Sequence, residues 1–276
     1  MIDIENLEKI SRQIRATCVQ MAHESKRGHL LSALTCVDIL VALYCEWLKV
    51  SPSKPFDEYR DRFYMSKGHG VSSLYAIFAK MDFINKEELR NYSVSGSSLP
   101  DHPCKHSLPI LEASSGSLGN CLGIATGALY GLRLKGNLSR AIVLMSDGEC
   151  NEGSVWEAAM FAAAQKMGNL LVIIDYNGVQ AVGNSDEIMG HTSLEEKFAS
   201  FGWSAVTING NNFSEILHCL NLFPLKKNKP TAIIAKTKVG ISFMESNILW
   251  HYKVPSEDDL NLALSELGEI PLHKNI

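Results

Sequence analysis

Ala141-Ile142-Val143-Leu144-Met145-Ser146-Asp147-Gly148-Glu149 and Leu170-Leu171-Val172-Ile173-Ile174-Asp175-Tyr176-Asn177-Gly178 decide the fold. Each is an apolar, β-branched run of strand length that ends in a polar turn, as a strand buried on both faces of a parallel sheet does. Asp147 and Asn177 stand 30 positions apart (177 − 147), room for one crossover. Glu152 to Met167 reads as that crossover helix, closed by Gly168-Asn169 as its C-cap. The product is one βαβ unit with an oxygen-bearing side chain at the carboxyl end of each strand, where open α/β sheets bind ligands. Two hard oxygen donors there suit Mg²⁺, which takes few protein ligands and completes its octahedron with phosphate oxygens and water. Singly, Asp147-Gly148 and Asn177-Gly178 are ordinary turn dipeptides. Flanking one crossover, they point to a metal–phosphate edge. Gly148 lets a pyrophosphate approach the backbone, and the start of the next helix adds free N–H groups and a positive dipole end. Glu152 at that helix start also fits simple dipole compensation.

Outward from this unit, helical spacing of Leu7, Ile10, Ile14, Cys18 and Met21 predicts a first amphipathic helix. Leu34 to Leu48 predicts a second, Phe63 to Ser66 a short strand, and Val71 to Lys80 a third helix. Asn91 to Pro109, with Gly96 and three prolines, reads as an irregular loop. An alanine- and glycine-rich helix is expected from about Asn120 to Leu134, and further strands at Ser204 to Ile208 and Thr231 to Thr237. Alternating strands and helices predict a doubly wound, mostly parallel α/β sheet with helices on both faces. Without a Pro-, Gly- or Ser-rich linker, residues 1–276 are expected to form one domain, with a peripheral acidic tail from about residue 255.

A net charge of −4 gives no electrostatic case for nucleic acid or an anionic membrane. No apolar run reaches the roughly 18 residues of a membrane span. The acidic start, Met1-Ile2-Asp3-Ile4-Glu5, is the reverse of a signal peptide. Seven cysteines without a C-x-x-C spacing suggest reduced, mostly buried thiols in a cytoplasmic protein.

Two further signals concern a site. Gly116 to Gly119 precedes a helix and resembles a second phosphate- or cofactor-cradling loop, whereas Gly123 and Gly127 read as packing glycines. His29, His69, His102 and His251 all fall in loops beside glycine, proline or a strand exit. Four such rings suggest an active-site rim able to bind sugar hydroxyls and move protons near neutral pH. His23, His106, His191, His218 and His273 lack that setting and read as surface residues.

Six segments in order carry a family resemblance: Gly28-His29; Lys67-Gly68-His69-Gly70; Leu99-Pro100-Asp101-His102-Pro103; Glu112 to Gly119; Ser146 to Gly153; and Trp250-His251. Over roughly residues 5 to 255 the chain resembles the amino-terminal, pyrophosphate-binding half of transketolase, as found where that enzyme is divided over two polypeptides. The resemblance implies thiamine diphosphate with Mg²⁺, for which Ca²⁺ or Mn²⁺ can substitute. Asp147, Asn177 and the Val179 carbonyl would hold the metal; Gly148, His69 and His251 would contact the diphosphate. Gly116, Ser117 and Leu118 would lie near the aminopyrimidine. His29, His102 and His251 would bind the hydroxyls of a ketose donor and the developing enediol oxygen. Glu152 would join a carboxylate network between paired active sites.

The family's activating glutamate belongs to a domain beyond this chain. The resemblance therefore implies half an active site, completed by a carboxyl-terminal subunit with the pyrimidine domain, in a heterotetramer with two copies of each subunit. The expected reaction moves a two-carbon ketol unit from a ketose to an aldose or other aldehyde, with sugars or sugar phosphates as substrates. The alternatives are a deoxyxylulose-phosphate-synthase-like or 2-oxo-acid-decarboxylating enzyme, or a non-catalytic scaffold subunit. Four departures stand out. Ser146 replaces a glycine, Leu30-Leu31-Ser32 replaces Pro-Gly-Gly, Asp101 replaces glycine before His102, and Tyr252 replaces glycine after His251. The last three are expected to flank the substrate channel.

Overall fold

The computed structural model describes residues 2–180, 183–190, 192–245 and 247–271. Five parallel strands form its sheet: β1 (Arg62–Met65), β2 (Ala141–Ser146), β3 (Leu170–Tyr176), β6 (Ser204–Asn209) and β7 (Thr231–Lys236), in the order β1-β2-β3-β7-β6. A two-residue ribbon, β4 (Val179–Gln180) with β5 (Gly183–Asn184), rises from the end of β3. In register, Ser146 stands beside Asp175, so the polar turns after β2 and β3 open at the same height.

The period-two alternation of the strands divides the core between two faces. Ile142, Leu144, Leu171, Ile173 and Ile233 pack under α1 (Ile4–Ser25), α2 (Leu30–Thr35), α3 (Val37–Ala42), α4 (Val71–Lys80), α9 (Phe213–Asn221) and α10 (Glu257–Leu267). Val143, Met145, Val172, Ile174 and Ile234 face α5 (Asn120–Leu134), α6 (Gly153–Ala164) and α8 (Leu194–Ser200). The doubly wound sheet is thus the one the sequence predicts. A short α7 (Ser185–Met189) follows the ribbon. Among the described residues no helix is long and apolar enough to cross a membrane. All seven cysteines are free; Cys18, Cys36, Cys121, Cys150 and Cys219 are buried.

Three local expectations are corrected. The Leu34–Leu48 helix begins earlier, breaks at Cys36 (φ −93°, ψ 6°) and finishes as a π-helical turn, Leu43–Trp47. A tertiary bond accounts for the break: the Thr35 hydroxyl is committed to Asp175 on β3 (2.6 Å), while the Cys36 thiol donates locally to the carbonyls of Ser32 and Ala33. The crossover helix α6 stops at Ala164 rather than Met167, and its left-handed closing residue is Lys166 (φ 54°). Gly168 serves instead to let Asn228 approach, since a Cβ there would lie 3.2 Å from the Asn228 nitrogen. The acidic tail is not peripheral: Leu260, Ala263, Leu264 and Leu267 of α10 are buried in the cluster that contains Leu7 and Ile14 of α1.

Candidate active site

The carboxyl edge of the sheet carries a buried acid at the tip of β2. Asp147 is 5% exposed; its Oδ2 accepts from Ser185 Oγ (2.6 Å) and Gly178 N–H (3.2 Å). Oδ1 is buried with no hydrogen-bond partner. Burial raises the carboxyl pKa to about 6 against the opposing Ser185 bond. A desolvated carboxylate with one oxygen unsatisfied is a site that a cation would complete. Asn177 is beside it: its Oδ1 accepts from Val179 N–H (2.9 Å), and its Nδ2 donates to Thr35 Oγ1 (3.4 Å). Among the described residues no three His, Cys, Asp or Glu side chains converge as a metal cluster. A metal here would rest on one carboxylate plus amide and backbone oxygens, a sparse set that suits Mg²⁺ with phosphate and water. These residues fit the metal–diphosphate group the resemblance implies. At Gly148 the neighbour is the Gln180 side chain, 3.0 Å from where a Cβ would stand. The glycine keeps that approach open at the start of a 3₁₀ turn, Gly148–Asn151.

Four histidines from four separate loops meet on the same edge. The His29 ring is central, with centroids of His69, His102 and His251 at 5.8, 6.0 and 5.5 Å; His69 and His251 are 5.9 Å apart. His29 reaches this place because its backbone is left-handed (φ 59°) and its N–H donates to the His251 carbonyl (2.8 Å). Gly28 permits the crossing, since a Cβ would fall 2.7 Å from the Tyr252 carbonyl oxygen. Nδ1 of His29 and of His251 are buried without partners. Burial lowers all three inner imidazoles. His69 falls to about 2 with the Lys67 cation adding to the effect, His251 falls to about 4, and His29 falls with His102 as second cause. They are therefore neutral hydrogen-bonding rings at physiological pH. His102 is more open, with Nδ1 3.5 Å from Asp101 Oδ1.

The Gly116 loop closes the near side. Gly116 adopts φ +141°, and a Cβ there would lie 3.2 Å from the His102 ring. Ser117 is exposed and Leu118 half-buried. Ser115 anchors the loop, its Oγ donating to the Met65 carbonyl (2.6 Å). Glu152 is exposed at the N-cap of α6, with no side-chain capping bond. His23 bonds to Glu257 and the Pro255 carbonyl, away from the cluster. His106 and His218 form no part of it, and His191 and His273 lie outside the described residues.

Sequence reasoning assigned no role to the buried polar layer beneath these groups. Lys67 and Asp175, both fully buried, form an ion pair, and Asp175 also accepts from Thr35 and Thr237. Glu149, fully buried, accepts from Ser66 Oγ and Gly119 N–H (2.7 Å), tying the β1 and β2 turns to the start of α5. The available signal was a charged residue ending an apolar run, as Asp175 ends Leu170 to Ile174. Of the expected channel-flanking departures, Leu30 and Leu31 are core residues of α2 (1% and 2% exposed). The missing Pro-Gly-Gly turn is replaced by helix, and only Asp101 and Tyr252 stand at the histidines.

Known proteins resemble this chain in sequence and in fold. The family model "Transketolase, thiamine diphosphate binding domain" matches residues 7–271. The chain is 34% identical over 270 residues to an apulose-4-phosphate transketolase subunit of Phocaeicola vulgatus, covering 97% of this chain and 96% of that one. It is 32% identical to a 6-deoxy-6-sulfo-D-fructose transketolase subunit of a Clostridium species, covering 87% and 88%. Against the Homo sapiens transketolase the identity is 32%, with 91% of this chain matched to 40% of the other. Among solved structures, the transketolase of Campylobacter jejuni superposes with a TM-score of 0.88 at 28% identity over 98% of this chain. The chain spans 44% of that protein's length. The chain belongs to the transketolase family and corresponds to its thiamine diphosphate binding domain.

Proposed function

We propose that this chain supplies the diphosphate-binding half of a two-chain, thiamine-diphosphate-dependent enzyme that moves a two-carbon ketol unit from a ketose donor to an aldose or aldehyde acceptor. The observation that carries the reading is the partnerless Asp147 Oδ1, buried on the edge that also gathers four histidines. Asp147, Asn177 and the Val179 carbonyl are the residues to hold Mg²⁺, with Ca²⁺ or Mn²⁺ as substitutes. Gly148, His69 and His251 would border the diphosphate, and Gly116, Ser117 and Leu118 the pyrimidine. When bound, thiamine diphosphate supplies the carbon centre that carries the two-carbon unit between sugars. The protein's part is positioning. Neutral His29 and His251 offer partnerless Nδ1 atoms to hydroxyls, and His102, steadied by Asp101, can exchange a proton at the open side.

The naming of several relatives as subunits supports a second chain here. That partner would bear the pyrimidine domain and its glutamate, and bury the cofactor from water. Ile124, Tyr130, Met160 and Phe161 leave an exposed apolar surface on α5 and α6 where such packing fits. We read Glu152, exposed at the N-cap of α6, as a member of a carboxylate network between paired active sites. We read the assembly as a cytoplasmic heterotetramer, two of each chain, with residues 1–276 acting as one domain on sugar or sugar-phosphate substrates. The reading involves neither nucleic acid nor membrane.

The test is reconstitution with the complementary chain, Mg²⁺ and thiamine diphosphate, followed over a panel of ketose donors. Ketol transfer by the pair and none by this chain alone is expected. Carbon dioxide release from a 2-oxo acid without ketol transfer, or turnover by this chain alone, would overturn the reading.

A further inference from the structure

Where the family pattern has glycine after the last histidine of the cluster, this chain places an aromatic ring. Tyr252 lies edge-on to His251 (centroids 4.9 Å) and to His29 (5.5 Å), yet the residue is 58% exposed. Its backbone has little freedom. The Tyr252 N–H donates to the Leu249 carbonyl (3.1 Å), the His29 N–H to the adjoining His251 carbonyl, and Gly28 packs directly on the Tyr252 carbonyl. The ring on this fixed backbone occupies volume that glycine would leave open, beside two imidazoles whose Nδ1 atoms have no partner.

The nearby cations have partners of their own. Lys253 lies over the Trp250 ring (4.1 Å) and bonds Asp259 (3.1 Å), Lys67 is paired with Asp175, and Arg27 Nε bonds Ser93 (2.8 Å). The wall therefore presents an aromatic ring and a phenol beside His29 and His251, and the Asp101 carboxylate stands at His102 in the same cluster. That is a surface for the C–H face and hydroxyls of a neutral polyol segment, not for a phosphate.

We propose that Tyr252 is a specificity-determining residue. Its ring packs on the substrate carbons just beyond the transferred unit, favouring an unbranched polyhydroxy chain and excluding a branch on the carbon next to the aldehyde. The inference rests on the ketol-transfer reading above. No covalent step is added: the ring acts by contact and by occupied volume, and differences of this kind in a pocket amount to roughly 10- to 200-fold in kcat/KM.

The test uses the reconstituted two-chain enzyme with one fixed ketose donor. Two acceptors are compared: the unbranched aldose the wild-type pair turns over best, and its analogue methylated on the carbon beside the aldehyde. Tyr252→Gly should raise the branched-to-unbranched ratio of kcat/KM by about 10-fold or more, chiefly through the KM of each acceptor. Tyr252→Phe should keep the wild-type ratio, because the ring and not the hydroxyl excludes the branch. Cofactor affinity by calorimetry and the mass of the complex in sedimentation should match wild type in both variants. A ratio within about twofold of wild type in Tyr252→Gly, or a loss of assembly or cofactor affinity in that variant, would overturn the proposal. Active wild-type enzyme with an unmoved ratio sinks this inference alone. A wild-type pair that transfers no ketol unit sinks the functional reading and this inference with it.

Discussion

Lys67 and Asp175 are fully buried at the carboxyl edge of β1 and β3, where neither charge would survive alone. Burial by itself lowers the Lys67 pKa, and Asp175 overrides it and raises it, so the ammonium stays charged. Asp175→Ala would leave that cation without its partner and should destabilise the fold by about 3–5 kcal/mol, read as the shift in urea unfolding. The double replacement Lys67→Met with Asp175→Leu, which removes both charges, should recover most of the loss. Equal destabilisation by both variants would contradict the ion-pair account. His251 gives a pH dependence of definite sign. Its folded pKa is lowered to about 4 by burial and by His29, below the roughly 6.5 of an exposed imidazole. Between these values the unfolded chain binds the proton first, so this contribution to stability is full above about pH 6.5 and lost as pH falls to about 4. His251→Gln should therefore flatten the fall of urea midpoint between about pH 7 and pH 4.5. A midpoint falling as steeply as wild type would show that His251 is not held neutral.

At the scale of elements, the site depends on glycines that let turns cross. Gly119 has φ +82°, donates its N–H to Glu149, and would place a Cβ 2.7 Å from the Glu152 Cβ and 2.5 Å from Ser154 Oγ. Gly119→Ala combines backbone strain with a steric clash at the junction of α5 and α6. It should cost about 1–3 kcal/mol, measured as a lowered unfolding midpoint, with an unchanged midpoint contradicting the geometry. This junction also marks how far sequence could be read. The buried strands announce themselves because both faces are apolar, and α4 and α5 begin and end where their spacing predicts. The Asp147–Asn177 pair is legible because parallel-strand register puts the two turns side by side. What was not legible depends on partners distant in sequence. Thr35 meets Asp175 across 140 positions and Glu149 meets Ser66 across 83, and no local spacing encodes either. The break at Cys36 follows from the first of these, and the burial of α10 from packing on α1 at the opposite end of the chain. Leu30 and Leu31 occupy a motif position expected to flank the channel, yet their side chains belong to the core.

For the whole molecule, the sheet edge supplies an acid, an amide and four clustered imidazoles, and α5 and α6 carry an exposed apolar surface that, on the proposed reading, faces a second chain. On the proposed reading a cation completes this edge: Asp147 carries a buried carboxyl raised to about 6, with Oδ1 unsatisfied. A divalent metal bound there would relieve that desolvation. The most direct measurement is calorimetric titration of thiamine diphosphate, with and without Mg²⁺, into the two-chain complex carrying wild-type or Asp147→Ala subunits. Tight, Mg²⁺-dependent binding in wild type is expected. The variant should lose about 3 kcal/mol or more of binding, upwards of a hundredfold in Kd, with the complex still assembled. Binding by an assembled Asp147→Ala complex that matches wild type in affinity and Mg²⁺ dependence would contradict the account.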